Sequence, residues 1–314
     1  MTQNLKGKLV TVFGGSGFLG RYVTQALLAQ GARLRVAGQS TVSGQYLKVL
    51  GNLGQLQLIA ADVRKPASLA RAVAGADMVV NLVGSFENLN AVQHLGAANV
   101  AKAASAAGCL ALVHISAIGA DAESAAEYGR SKAAGEAAVF KAFPAAVILR
   151  PSIVFGREDA FINRFAGLIR MLPIVPVIGA ATRFQPVFVG DVARAVVSAL
   201  KDTAYAGLTL ELGGPQVFTM RALNEWIAAA IGRDPIFVDV PDFAAYAMAR
   251  GTGWMPGAPI TLDQYRMLGS DNVVTDSVDG LEMMDIAATS MDAVADDWLN
   301  IYRKHGRFGG RAAT

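Results

Sequence analysis

The stretch "LVTVFGGSGFLGRYVTQALLAQG", residues 9–31, constrains this chain more than any other. A short β-branched run meets spaced glycines, and an amphipathic helical pattern follows at once. Gly14, Gly17 and Gly20 read G-x-x-G-x-x-G, while Gly15, Gly17 and Gly20 also satisfy G-x-G-x-x-G. Glycines permit a tight turn and close backbone approach, and the following helix offers its first N–H groups to an anion. That combination suits the diphosphate of a dinucleotide. In a chain with 33 Gly the spacing alone is weak, and its place between a first strand and a first helix gives it weight.

The rest of the first half repeats the same rhythm. Strands are predicted at Leu9–Phe13, Leu34–Ala37, Leu56–Ala60, Met78–Leu82, Leu110–Ile115 and Val147–Arg150. Helical patterns lie at Leu19–Gln30, Ser68–Ala74, Val92–Ala107 and Ala125–Phe143. Such alternation predicts an α/β fold: a Rossmann doubly wound parallel sheet in the order 3-2-1-4-5-6, covered on both faces. After Arg150 the rhythm breaks at Pro173, Pro176, Pro186, Pro235, Pro241, Pro256 and Pro259, with helices predicted at Ala160–Met171, Val192–Lys201 and Met220–Ile231. The expectation is a nucleotide-binding domain over 1–150 and a smaller C-terminal, substrate-side lobe over 151–314. That lobe returns segments to the main domain and ends in a mobile basic tail, "RKHGRFGGRAAT".

The bound dinucleotide is then a question of charge. An NAD site ordinarily places a carboxylate at the end of the second strand to grip the ribose 2′-OH. Here that corner holds Gly38, Gln39 and Ser40, and the first carboxylate of the chain is Asp62. A 2′-phosphate meets no repulsion there, and Arg21 offers it a cation, so NADP(H) is favoured over NAD(H). Arg33 and Arg35 read as solvated strand-edge charges. Asp62 reads equally as a contact for the adenine amine or as a helix N-cap. Leu82 and Val83, closing the fourth strand, complete the expected cofactor contacts from the main sheet.

Chemistry enters with "AEYGRSKAAGE", residues 126–136. Seven Tyr and nine Lys placed at random would give about 0.2 Tyr-x-x-x-Lys pairs, and Tyr128–Lys132 is the one present. On a helix, i and i+4 share a face, so the ammonium is expected to lower the phenol pKa toward a range useful for acid–base work. Ser116 ends the apolar strand "ALVHIS", where strand C-termini line the ligand crevice, and its hydroxyl is placed to polarise a carbonyl.

With these residues the chain resembles the short-chain dehydrogenase/reductase superfamily, in its extended or atypical branch. More narrowly, "LRPSIVFGREDAFINRFA" and "RFQPVFVGDVARAVVSALKD" resemble the nucleotide-binding accessory subunit family of respiratory complex I and its bacterial relatives. That resemblance implies tightly held NADP(H) in a structural role and association with complex I or another membrane-associated protein. It implies cofactor contacts at Gly14, Gly17, Phe18, Leu19, Gly20, Arg21, Asp62, Val63, Lys132, Pro151 and Ile153. An active NADPH-dependent oxidoreductase on a small apolar carbonyl or quinone-related substrate, using Ser116, Tyr128 and Lys132, is the alternative. A nucleotide-sugar epimerase is the minor one, because Ala117 and Ile118 follow Ser116 where a dehydratase would place an acid or threonine, and the loop to Tyr128 is short.

Composition narrows the rest. A 53% hydrophobic, 17% charged chain is not a disordered one, and a net charge of +3 does not point to nucleic acid. Cys109 is alone, so it reads as a small buried hydrophobe in a reducing compartment. "KGKLVTVFGG" leads straight into the first strand, so no targeting segment is expected. "AAVILRPSIVF" is broken by Arg150 and Pro151, well short of the ~20 apolar residues that span a bilayer. A cytoplasmic protein, with peripheral attachment at the inner membrane open, is the expectation. His94 and His114 lack metal-like spacing, and His305 belongs to the tail. Phe161, Phe165, Leu168 and Ile169 read as a stripe packed on a core, or as a docking surface alongside Arg157, Arg164 and Arg170. "DFAAYAMARGTGWMP" reads as core, as lining for a long apolar ligand such as a quinone, or as a contact for a membrane protein.

Overall fold

The computed structural model describes residues 3–255, 258, 260–275, 280–304 and 306. These divide into two compact units: residues 1–151, 189–212 and 275–287, and residues 152–188, 213–274 and 288–314. Pro256, Pro259, His305 and most of the basic tail lie outside the described residues.

The first unit is a seven-stranded parallel sheet. Its early elements are β1 (Leu9–Phe13), α1 (Phe18–Ala29), β2 (Arg33–Gly38), β3 (Leu56–Ala60), α2 (Pro66–Val73) and β4 (Met78–Asn81). There follow α3 (Leu95–Ala106), β5 (Ala111–Ile115), α4 (Glu127–Ala142) and β6 (Val147–Pro151). Across the sheet the order is 3-2-1-4-5-6, as expected for the doubly wound fold, with one further strand, Thr209–Leu212, added beside β6.

Period-two alternation explains why helices cover both faces. Phe13, Val79 and Leu112 share one apolar cluster with Leu69 of α2, Val100 of α3 and Val139 of α4. Their strand neighbours Val12, Val80 and Val113 are just as buried on the opposite side. α1 packs there along a returning helix, Val189–Lys201. Cys109 is buried, its thiol 3.4 Å from the Ala76 carbonyl.

Three local expectations are corrected. Arg35 is no solvated edge charge: its guanidinium donates to the Ala72 and Ala74 carbonyls at 2.7 and 2.9 Å, closing the C-terminus of α2. Lys65, not Asp62, is the N-cap of α2, and Pro66 takes the first helical position. The predicted start of the third helix is a π-turn, Asn90–His94, which puts the Gln93 carbonyl where any side chain at Gly135 of α4 would sit.

In the second unit, α5 (Ile162–Met171) and the helix Met220–Ala230 pack around Phe155, Ile169, Leu223 and Trp298. Of the expected stripe, Ile169 is buried and Phe161 and Phe165 pack half-buried against that core, whereas Leu168 is exposed. Asp159 of the Gly-Arg-Glu-Asp run is buried and accepts from the Ile162 N–H at 2.6 Å, which organises the turn into α5. The Asp242–Thr252 helix departs from the core reading. Only Ala245 and Ala249 are buried on it, while Phe243, Tyr246, Trp254 and Met255 are exposed. Among the described residues no helix is long and apolar enough to cross a membrane.

Candidate functional site

The glycine turn is built by sterics. Gly14 takes φ +77°, a left-handed conformation that favours glycine, and its N–H bonds to the Ala37 carbonyl at 3.0 Å. A Cβ there would lie 3.2 Å from Leu82 C and 3.3 Å from Val83 N, so the end of β4 closes on the turn. A Cβ at Gly20 would fall 2.5 Å from the Gly15 backbone, which leaves no room for any side chain. Gly17 is the N-cap of α1; no side chain caps that helix and its first turn carries no acid. An uncapped N-terminus beneath a glycine turn fits a diphosphate. Phe18, Leu19, Gly20 and Arg21 form its first turn.

Gln39 and Asp62 line one pocket of about 300 Å³ at the C-terminal ends of β2 and β3, with Ala60, Arg64 and Ser68. The Asp62 carboxylate is held by Arg64 at 2.7 Å, and that hydrogen bond is the main reason its pKa drops to about 2. Val63 is buried and its carbonyl accepts from Asn99 at 3.0 Å. Ser40 accepts from the Val42 N–H at 3.2 Å.

At the other end of the sheet, Lys132 is buried and its ammonium donates to the Ile115 carbonyl, beside Ser116, at 3.3 Å. The same ammonium lies 5.9 Å from the centroid of the Tyr128 ring. Burial draws the Lys132 pKa down to about 8, with Glu136 pulling the other way. Tyr128 corrects the sequence expectation: burial pushes its phenol up to about 12, so in this arrangement the lysine does not produce a phenolate. The Ser116 hydroxyl is buried without a hydrogen-bond partner. Pro151, also buried, accepts from the Ile118 N–H at 3.1 Å. Ile153 belongs to the second unit, against Phe184 and Met220.

Several residues around this pair had no signal in the sequence. Phe86, 65% exposed, stacks on Tyr128 with centroids 4.9 Å apart and a 20° interplanar angle. Gln93 ties that loop down by donating to the Ser85 carbonyl at 2.6 Å. His114 is buried beside Asn81 at 3.0 Å, and burial, then the nearby Lys132 charge, takes its pKa down to about 3. Glu136 receives a bidentate bond from Arg150 at 2.9 and 2.6 Å, and Arg150 also faces Glu211 at 3.7 Å. No group of three or more potential metal ligands occurs among the described residues.

The model of the NAD dependent epimerase/dehydratase family matches residues 10–213, the stretch that holds the turn, Ser116 and the Tyr128–Lys132 pair. The chain belongs to that family. Pyridine-nucleotide binding follows from the membership together with the fit of the turn. It is homologous to a complex I subunit: NADH dehydrogenase [ubiquinone] 1 alpha subcomplex subunit 9 of Arabidopsis thaliana is 35% identical over 97% of this chain and 80% of its own length. Ceramide reductase of Caulobacter vibrioides is 28% identical over 77% of this chain and 76% of its own. The Escherichia coli NADPH-dependent quinone oxidoreductase QOR2, solved with NADPH, superimposes with a TM-score of 0.75 at 18% identity, over 91% of this chain and 98% of that one. That last likeness concerns the fold alone.

Proposed function

We propose that this epimerase/dehydratase-family protein holds NADP(H) as a structural ligand and acts through a membrane-associated assembly, as a homologue of the complex I subunit. The observation that carries this reading is the state of the reaction end. The Ser116 hydroxyl is sealed from solvent, and Tyr128 lies under Phe86 with its pKa raised to about 12, while the phosphate turn is intact. NADP(H) is favoured because residues 1–61 contain no carboxylate and Asp62 is already engaged by Arg64. The first-turn amides of α1 would hold the diphosphate, and Arg21 the 2′-phosphate. The expected location is peripheral, on the cytoplasmic face of the inner membrane.

The test is native mass spectrometry of protein purified without added nucleotide, together with membrane fractionation of a Tyr128→Phe strain. Retained NADPH and unchanged co-fractionation with respiratory membranes are expected. Nucleotide-free protein that exchanges coenzyme rapidly would sink the reading.

A second reading is favoured by the set Ser116, Tyr128 and Lys132 and by the likeness to a ceramide reductase. When bound, the coenzyme would supply hydride chemistry. Ser116 would orient a substrate carbonyl, Tyr128 would give or take the proton at its hydroxyl, and Lys132 would favour the phenolate form of that hydroxyl and hold the nicotinamide ribose. Movement of Phe86 would have to come first. NADPH consumption abolished by Tyr128→Phe would establish it. The epimerase reading stays minor, since Ala117 and Ile118 offer Ser116 no acid or hydroxyl.

A further inference from the structure

The 3-10 segment Val42–Leu50, after β2, enters the site described above only through its Val42 N–H, yet it folds onto the glycine turn. Leu47 is fully buried, and at Gly44 a Cβ would lie 3.0 Å from Leu58 and 3.8 Å from the Ser16 Cβ, so the segment is seated closely. From it Tyr46 makes two contacts with the turn. Its hydroxyl donates to the Ser16 carbonyl at 3.0 Å, and its ring lies 5.4 Å beneath the Arg21 guanidinium. Ser43 donates to the Ser40 carbonyl at 3.0 Å and reaches the Ser16 hydroxyl at 3.5 Å. A guanidinium resting on an aromatic face is held in place, and that cuts the rotamer entropy lost when an anion binds.

We infer that Val42–Leu50 is a coenzyme-selectivity element in which Tyr46 is a positioning residue. It fixes Arg21 for a ribose 2′-phosphate, with Ser40 and Ser43 supplying hydroxyls at the same corner. This rests on the NADP(H) reading above and goes further by assigning the preference to a residue 25 positions from Arg21.

Calorimetry on the full chain tests it with four ligands: NADPH, NADH, adenosine 2′,5′-bisphosphate and AMP. Tyr46→Leu is expected to weaken NADPH and the bisphosphate about fivefold while NADH and AMP change less than about twofold, the scale of one exposed cation–π contact. Tyr46→Phe keeps the ring and loses the Ser16 bond, so a smaller loss of about threefold in the same selective direction is expected. That variant carries the test if Tyr46→Leu does not fold. Equal weakening of phosphorylated and unphosphorylated ligands, or no weakening, would overturn the inference, because Tyr46 would then only pack on the turn. A wild-type chain that binds NADH as tightly as NADPH would sink the underlying NADP(H) reading instead, and is distinguishable by its indifference to the bisphosphate.

Discussion

At Gly20 a methyl group would sit 2.5 Å from the Gly15 backbone, whereas at Gly17 its nearest neighbour would be the Gly14 carbonyl at 3.4 Å. The two glycines therefore answer different demands. Gly20→Ala should destabilise the fold by about 1–3 kcal/mol, since strand and helix must separate. Gly17→Ala should leave thermal stability nearly unchanged and weaken nucleotide binding, since the space it fills is where the diphosphate approaches. Thermal melts beside calorimetry would separate these effects, and equal melting temperatures would contradict the steric account. His114 supplies a pH prediction. Its folded pKa of about 3 lies below the ordinary 6.5, so between these values the unfolded chain takes up a proton that the folded chain does not. Stability is thus full above about pH 6.5 and declines on acidification, by up to about 1.4 kcal/mol per pH unit from this residue. His114→Gln should flatten that part of the slope in denaturant melts between about pH 7 and 5. Parallel wild-type and variant curves would exclude His114 as the cause. The glycine spacing was readable because Gly17 and Gly20 answer to the backbone of the same short turn. Nothing along the chain marks Phe86 as the ring that covers Tyr128.

Helix α4 presents Tyr128, Lys132 and Glu136 at i, i+4 and i+8, a single face. Sequence reasoning reached the first two and passed over the third. Glu136 is buried and bidentate with Arg150, which also faces buried Glu211, and Glu211 accepts from the Thr275 N–H at 3.0 Å. Removing one member of a buried pair strands the other charge. Glu136→Gln should cost about 3–5 kcal/mol in urea unfolding, and Arg150→Met, which strands both Glu136 and Glu211, should cost at least as much. A loss below about 1 kcal/mol would show the pair to be solvent-screened. Lys132 should also lose a proton more readily in Glu136→Gln, because Glu136 is the group that raises its pKa. The Asp242–Thr252 helix shows the limit of composition at this scale. Its aromatic residues suggest a core, but the helical period turns Ala245 and Ala249 inward and leaves Phe243 outside.

On the scale of the whole molecule, the first unit draws on three separated stretches of chain. Its seventh strand, residues 209–212, pairs with β6 from Ile148 to Pro151, and the helix of residues 189–201 covers α1. A fragment of residues 1–151 therefore lacks an edge strand, a covering helix and the Glu211 partner of Arg150. Circular dichroism of that fragment should show no cooperative thermal transition, while the full chain melts cooperatively and is further stabilised by NADPH through mass action. A sharp melt of the fragment would mean that the six N-terminal strands suffice. By itself the sequence determined the strand–helix alternation, the glycine turn, the charge at the corner after β2 and the Tyr-x-x-x-Lys face. These features depend on residues within a turn or two of one another, where local sterics and periodicity decide the outcome. Only the tertiary structure decided that Tyr46 lies beneath Arg21, that Phe86 stacks on Tyr128, that Ser116 is sealed and that burial raises the phenol pKa. Each of those depends on which distant elements become neighbours, and on the dielectric that their packing leaves behind.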